Sequence, residues 1–218
     1  MLTLVLKDIL TQKKKLWLIV FYGVFMHVAL YSLGDAGAYG SATVGITYIF
    51  VLGACAHDDK NRSEILLNSL PISRNSLVMA KYLTSLWFLA IGLIASTLVG
   101  TVAHFTGLDR GLVDSETLGI MVFIGLLLVS FYYPVYFLFG YLKARYYHTL
   151  LFILAIFVPG LLATMANRVG LPGWLGYFLE WLNHSHGTMA LGFIGAGLLL
   201  FIISLFISLK FYQKREFA

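Results

Sequence analysis

Few side chains in this sequence are of the kinds that carry out covalent chemistry, and they form no catalytic motif. Glu180, His184 and His186 come nearest to a metal site, because Glu180 and His184 have the four-residue spacing that puts two ligands on one helix face. Solvated loop side chains explain the same pattern more simply. The single cysteine, Cys55, stands between two alanines and is expected to be a small buried residue. We therefore predict no metal site and no catalytic residue.

The sequence also lacks the motif with which a chain binds ATP. A P-loop leads into Gly-Lys-Ser/Thr so that backbone N–H groups surround the phosphates, and the 218 residues contain no Gly-Lys dipeptide. Neither Gly-x-Ser-x-Gly nor His-Glu-x-x-His is present. We predict that the chain is not an enzyme and binds no cofactor directly. If ATP drives it, ATP and Mg²⁺ bind to a separate ATPase subunit.

The composition requires lipid as part of the solvent. Hydrophobic residues make up 60% of the chain and charged residues 11%, against roughly 45–50% and about 25% in a soluble domain. Six uncharged apolar stretches approach the roughly 20 residues that a helix needs to cross the hydrocarbon core. Their residues do not alternate between apolar and polar, as a β-barrel would require. We predict an all-α integral membrane protein, one transmembrane domain over residues 1–218, with six spans: Leu16–Leu33, Tyr39–Ala56, Tyr82–Phe105, Leu118–Tyr141, Thr149–Ala166 and Thr188–Leu209.

Basic residues fall almost entirely on one side of this predicted bundle. Only Arg110 and Arg168 lie on the other side, out of fifteen Lys and Arg residues. Because cytoplasmic loops carry the excess of Lys and Arg, the basic side is predicted to be cytoplasmic, and both termini lie there. This topology explains the net charge of +5 without a nucleic-acid partner.

Two segments outside the spans are predicted to lie in the membrane interface. Leu2, Leu6, Ile9 and Leu10 share one helical face, so residues 1–14 are predicted to form an amphipathic helix on the inner membrane surface, held by the lysines that follow. A frayed lead-in is the alternative. The external segment 167–187 combines a Pro-Gly turn with several aromatic residues and is predicted to form re-entrant or interfacial helices.

Ion-coupled transport is disfavoured, because no span contains Asp, Glu, Lys or Arg. His27 and His104 are the only histidines at span depth, and His104 lies close to the end of its span. His27 could act as a proton relay, but a neutral histidine bonded to a neighbouring helix is the simpler interpretation.

Residues 57–76, between the second and third spans, are predicted to form a cytoplasmic loop with a short helix. Pro71 ends this helix, and Ser73 caps the one that continues into the third span. Its apolar face must lie on the membrane or in the groove of a partner, and composition leaves both open. The residues of this face are Ile65, Leu66 and Leu70, and the residues that could cap its start are Asp58, Asp59, Asn61 and Ser63.

Two stretches in this region, Arg62-Ser63-Glu64-Ile65-Leu66-Leu67-Asn68-Ser69-Leu70-Pro71-Ile72-Ser73-Arg74 and Ala80-Lys81-Tyr82-Leu83, resemble the corresponding part of small bacterial ABC-type exporter permeases. Those proteins are the transmembrane subunits of ATP-binding-cassette exporters. The remainder of the chain agrees with them in general layout. The resemblance implies that the loop carries a coupling helix, which inserts into a groove of a cytoplasmic ATPase. The implied contact residues are Arg62, Glu64, Ile65, Leu66, Asn68, Ser69, Leu70 and Arg74.

The same resemblance implies further partners and a location. A second permease copy, identical or different, is expected, together with membrane lipid. The location implied is the bacterial cytoplasmic membrane, which the chain would cross as a multi-pass protein. The two arginines of the loop, Arg62 and Arg74, would meet acidic rims on the ATPase.

Two sets of residues within the spans are candidates for packing and for a cargo path. Gly92, Ser96 and Gly100 recur every four residues, a spacing that lets another helix approach closely, within the chain or at a dimer seam. Tyr132, Tyr133 and Tyr136 surround Pro134, which is expected to kink the fourth span. These tyrosines could line a path for amphipathic cargo, or serve as core packing and interfacial anchors.

The leading hypothesis is a permease subunit of an ATP-driven exporter of hydrophobic or amphipathic cargo. The family resemblance implies that this cargo is above all peptides of the bacteriocin or cytolytic toxin type. Antibiotics or lipids are the alternative cargo. A non-transporting scaffold or immunity protein and a membrane-embedded enzyme are the other classes considered. The sequence does not determine the cargo or the identity of the second permease.

Overall fold

The computed structural model describes residues 2–29, 34–63, 66, 73–106, 112–147, 149–150, 153 and 188–214. The elements assigned within these ranges are helical, as predicted. They are α1 (Leu2–Thr11), a 3₁₀ turn (Lys13–Lys15), α2 (Leu16–Ala29), α3 (Gly34–Lys60), α4 (Arg74–Phe105), α5 (Ser115–Phe139) and α6 (Thr188–Lys214). Residues 141–147 form a further short helical stretch after α5.

Within the described residues, four helical segments are long and apolar enough to cross a membrane: Gly37–Lys60, Arg74–Phe105, Ser115–Phe139 and Ala190–Lys214. They correspond to the second, third, fourth and sixth predicted spans. The first predicted span contains α2, which has 14 residues and ends at Ala29, and its last residues lie outside the described part. The fifth predicted span and the external segment 167–187 lie almost wholly outside it.

α3 is the central helix of the bundle. The apolar stretch of α3 that is long enough to cross a membrane is 78% buried inside the protein, whereas the corresponding stretch of α6 is 22% buried. Small residues allow this position, because Ala38, Ala42 and Cys55 have no exposed surface and let neighbouring helices come close. α2, α4 and α5 pack against α3, and α6 packs along α5.

Aromatic side chains join the central helices into one core. The Phe50 ring on α3 lies 5.4 Å from that of Phe88 on α4. On α4, the Tyr82 ring lies 4.8 Å from Tyr133 of α5 and 5.0 Å from Phe201 of α6. Rings of this size bury large apolar areas and fix the relative rotation of the helices they join.

Two helix starts follow from side-chain caps. Ser73 Oγ accepts a hydrogen bond from the backbone N–H of Ser76 at 3.3 Å, so the predicted cap of α4 is confirmed. Asp114 Oδ1 accepts from the N–H of Thr117 at 3.1 Å and begins α5 in the same way. Both caps satisfy amide donors that a helix leaves unpaired in its first turn.

α1 presents an apolar face outward and a face that includes buried polar residues to the bundle. Leu2 is 82% exposed and Leu6 and Leu10 are each 55% exposed, as lipid-facing residues would be. Asp8 and Gln12 are buried on the opposite side. A helix of a soluble protein would be oriented the other way, with its leucines inward. Val5 is also buried on this side and Leu4 and Ile9 pack against the core, so α1 is attached to the bundle through both polar and apolar side chains.

Candidate functional site

Five helix ends meet at one end of the bundle, which we call the charged end. α1 lies there with the last turn of α3, the start of α4 and the C-terminal ends of α5 and α6. The Tyr133 hydroxyl of α5 donates to the carbonyl of Lys81 on α4 at 3.0 Å. Arg74 donates to the Gln213 carbonyl of α6 at 3.1 Å, and the Gln213 side-chain amide donates to Asn75 at 2.8 Å. The segment that connects α3 to α4 therefore begins beside α1 and ends beside the C-terminal end of α6.

Four charged side chains form a cluster at this end, hereafter the charge cluster: Lys7 and Asp8 from α1, Asp58 from α3 and Lys81 from α4. Lys7 Nζ lies 2.7 Å from Asp58 Oδ1 and 3.2 Å from Asp8 Oδ1. Lys81 Nζ lies 2.7 Å from Asp8 Oδ2 and also donates to Asp58 Oδ2. The two ammonium groups and two carboxylates have no net charge, and they join three helices.

The charge cluster is largely removed from solvent. The side chains of both aspartates are 4% exposed and that of Lys81 is 12% exposed, whereas Lys7 remains 34% exposed. Buried charges of this kind persist only when they are paired, since an isolated ion loses its hydration without compensation. The arrangement therefore holds α1 against α3 and α4 through charge pairs rather than through apolar contact alone.

A cavity of about 30 Å³ adjoins the charge cluster. Apolar and aromatic side chains close its other side, among them Leu4, Leu77 and Tyr212. This space has room for about one water molecule. It is too small for an organic ligand, so the chemistry of this site is the pairing of its own charges.

The sequence did not reveal the charge cluster. Asp58 and Asp59 were two of the four residues named as possible caps for the start of a loop helix, and they do not have that position, because both belong to the last turn of α3. The sequence placed Lys81 only among the basic residues of the predicted cytoplasmic side, whereas it lies inside α4 and is mostly buried. The available signal was Asp8, the one acidic residue of α1, which stands beside Lys7 in a mostly apolar segment.

The residues predicted to contact an ATPase are described only in part. Arg62 has φ 49°, a left-handed conformation that ends the helical run of α3 just after Lys60. Leu66 is helical and 65% exposed. Arg74 begins α4 and bonds to α6 as described above. The other predicted contact residues lie outside the described part of the chain: Glu64, Ile65, Asn68, Ser69 and Leu70.

The three tyrosines around Pro134 lie in the protein core. Tyr132 is fully buried, and Tyr133 and Tyr136 are each 2% exposed. Tyr132 and Tyr136 stack with ring centroids 5.8 Å apart. Within the single chain these side chains pack helices together. A role in lining a cargo path stays a prediction.

The small residues of α4 face α3. A Cβ added at Gly92 would lie 2.9 Å from the backbone carbonyl oxygen of Thr43, and one at Gly100 would overlap the ring of Tyr39. Between them, Ser96 Oγ donates to the carbonyl of Tyr39 at 3.0 Å. The four-residue spacing therefore accommodates α3 within the same chain, where it allows close approach and an interhelical hydrogen bond.

His27 is buried in α2 and forms a hydrogen bond within its own helix. Its Nδ1 donates to the carbonyl of Gly23 at 2.9 Å, and its ring meets the edge of Tyr39 at 5.0 Å. This hydrogen bond stays within α2, and a bond to a neighbouring helix stays a prediction. The ring contact with Tyr39 of α3 is the interhelical part of its packing.

A buried hydroxyl network, which the sequence did not reveal, links α4, α5 and α6. The Tyr82 hydroxyl lies 2.7 Å from both Ser204 Oγ and Ser208 Oγ. Ser204 in turn donates to the carbonyl of Ser130 at 2.6 Å. Hydrogen bonds of this kind join helices where no water is available to the polar groups. Lys81 and Tyr82, the centre of the Ala-Lys-Tyr-Leu stretch, thus hold two separate sets of interhelical contacts.

Within the described residues, four helices that are long and apolar enough to cross a membrane indicate a multi-pass membrane protein. A family profile described as "ABC-2 family transporter protein" matches residues 3–213, nearly the whole chain, and the chain belongs to this family. No curated protein and no solved structure matches the sequence.

Membership in this family establishes the class of protein. The chain is the transmembrane permease component of an ABC transporter and is not itself an ATPase. Its family implies that it works with an ATP-binding-cassette ATPase. The resemblance found in the sequence to an ABC-type permease is thereby confirmed.

Proposed function

We propose that this permease exports hydrophobic or amphipathic cargo, above all peptides, from the cytoplasm of a bacterium. The observation that carries the proposal is the distribution of charge. Between the charge cluster near one end and Glu116 near the other, the described spans contain no Asp, Glu, Lys or Arg. An uncharged interior suits cargo with apolar surface and offers nothing to a small ion. Antibiotics or lipids are the alternative cargo of the same physical kind.

The charged end is the proposed cytoplasmic face. It holds nearly all of the described basic residues, which favours this orientation by the positive-inside rule. Export then runs toward the end where α5 begins. Two permease copies and two ATPases form the proposed complete transporter, because one small bundle cannot enclose a path for a peptide.

Residues 57–76 are the proposed coupling segment. The two helices that flank it, α3 and α4, are held together at their ends by Asp58 and Lys81, so force applied to the segment reaches both. The exposed leucine at position 66 supports docking into an apolar groove of the ATPase. Arg62 and Arg74 flank that leucine and suit acidic rims on such a groove.

Co-purification tests the coupling segment. We expect the native permease to retain its ATPase through affinity purification and Leu66→Asp/Leu70→Asp to lose it, because carboxylates in an apolar groove are costly to desolvate. Leu112→Asp is the control, since Leu112 is a similarly exposed leucine (60%) just before α5. Retention of the ATPase by the double variant would show that residues 57–76 do not form the docking site.

ATP hydrolysis in reconstituted vesicles tests the cargo. We expect amphipathic peptides added on the ATPase side to stimulate hydrolysis, and small hydrophilic peptides of equal length to have no effect. Stimulation by antibiotics or lipids but by no peptide would reject peptides as the cargo and support the alternative. A scaffold or immunity protein would respond to none of them.

A further inference from the structure

The charge cluster has an arrangement that apolar packing does not require. It joins α1 to α3 and α4, the two helices that flank the proposed coupling segment. Asp58 lies in the last turn of α3 and Lys81 lies near the start of α4, so the cluster spans the base of that segment. Each carboxylate binds a lysine from α1 or α4, and no pair is confined to a single helix except Lys7 with Asp8.

We propose that the charge cluster is the link through which α1 follows the movement of the coupling segment. Lys7 and Asp8 are then positioning residues for coupling. They transmit displacement of the ends of α3 and α4 to a helix whose outer face carries exposed leucines. This inference rests on the proposed role of residues 57–76.

The geometry indicates that the charge cluster passes movement of α3 and α4 on to α1, in addition to attaching α1 to the bundle. Apolar contacts alone would attach α1 to the bundle without tying it to one partner side chain, because the hydrophobic effect is non-directional. The two ion pairs of Lys81, to Asp8 on one side and Asp58 on the other, fix α1 and α3 to the same side chain. A shift of α3 relative to α4 therefore cannot occur without displacing α1 or breaking a buried pair.

The pattern of charges allows a test by reversal. Lys7→Asp/Asp8→Lys puts a carboxylate opposite Asp58 and an ammonium opposite Lys81, so α1 is repelled. Asp58→Lys/Lys81→Asp repels α1 equally while keeping an attractive pair between α3 and α4. The combined quadruple variant restores every attraction with opposite signs. A role that depends on pairing is restored by the quadruple variant, whereas a role that needs the native side-chain shapes is not.

The experiment uses the permease–ATPase complex in proteoliposomes. Spin labels on Thr3→Cys and Met79→Cys, both exposed positions, report whether α1 stays against α4 when the complex is trapped with ATP and vanadate. Permease-dependent ATP hydrolysis is measured on the same samples. We expect each double variant to retain the ATPase, to broaden the distance distribution and to lower coupled hydrolysis roughly five-fold or more. We expect the quadruple variant to recover both readouts.

Coupled hydrolysis that stays at the native level while α1 is displaced would overturn the proposal. So would a quadruple variant that holds α1 in place but does not recover hydrolysis. If either double variant fails to give a monodisperse complex, Lys7→Gln/Asp8→Asn provides the same comparison, because it only neutralises α1 and leaves Asp58 paired with Lys81. Retention of the ATPase by Leu66→Asp/Leu70→Asp would instead reject the coupling segment, and that measurement is independent of the charge reversals.

Discussion

Lys81 of α4 reaches Asp58 at the end of α3, and this pair closes the base of the connection between the two helices. The same ammonium group binds Asp8 of α1 at 2.7 Å. One lysine thus organises three helix ends in a region from which most water is removed. Removal of any partner leaves a buried charge without full compensation, which makes the cluster a sensitive point for stability as well as for coupling.

Lys81→Met should destabilise the permease strongly. We expect the free energy of unfolding to fall by about 3–5 kcal/mol, because two buried carboxylates lose a shared cation. Thermal unfolding in detergent measures the loss. Lys143→Met is the control, since Lys143 is exposed and should change stability by less than about 0.5 kcal/mol. Equal unfolding temperatures for the two variants would contradict a structural role for the cluster.

Tyr82→Phe should weaken the contact of α4 with α6 and leave the fold intact. The substitution removes a hydroxyl that bonds to both Ser204 and Ser208, and we expect a loss of about 1–2 kcal/mol. Thermal unfolding is again the measurement. Tyr147→Phe removes a partly exposed hydroxyl and serves as the matched control. Indistinguishable curves would show that the buried network contributes nothing measurable.

Gly92→Ala should be destabilising although alanine favours helices. Its methyl group would lie 2.9 Å from the Thr43 carbonyl oxygen, a backbone atom that cannot move aside. We expect a cost of about 1–3 kcal/mol from the forced separation of α3 and α4. Gly195→Ala is the control, because nothing lies within 4 Å of a Cβ at that position. If Gly92→Ala leaves stability unchanged but alters assembly of the complex, then Gly92, Ser96 and Gly100 form a contact between permeases and not one within the chain.

Cysteine labelling should place the charged end in the cytoplasm. Native Cys55 has 0% exposure and should give little background. We expect Lys60→Cys to react with a membrane-impermeant maleimide only after the cells are permeabilised, and Ser115→Cys to react in intact cells. Both positions are exposed. The opposite pattern would place the coupling segment outside the cell, beyond the reach of an ATPase.

The sequence by itself determined the membrane class, the positions of the described spans and the cap at Ser73. These features depend on properties that add up along a short stretch of chain, such as hydropathy over about 20 residues or one hydroxyl before a helix. The resemblance around residues 62–83 also led to the correct family, because a local motif is read without any knowledge of its neighbours.

Tertiary structure alone decided which buried polar and charged side chains contact one another. Asp8, Asp58 and Lys81 are far apart in the sequence, and each looks like an ordinary solvated charge near a span. Only the packing of α1 against α3 and α4 brings them together with Lys7 and excludes water, which turns separate charges into one paired cluster of four. Tyr82 and Ser208 meet for the same reason, since a hydrogen bond in the membrane depends on which helix faces which, and hydropathy carries no information about that.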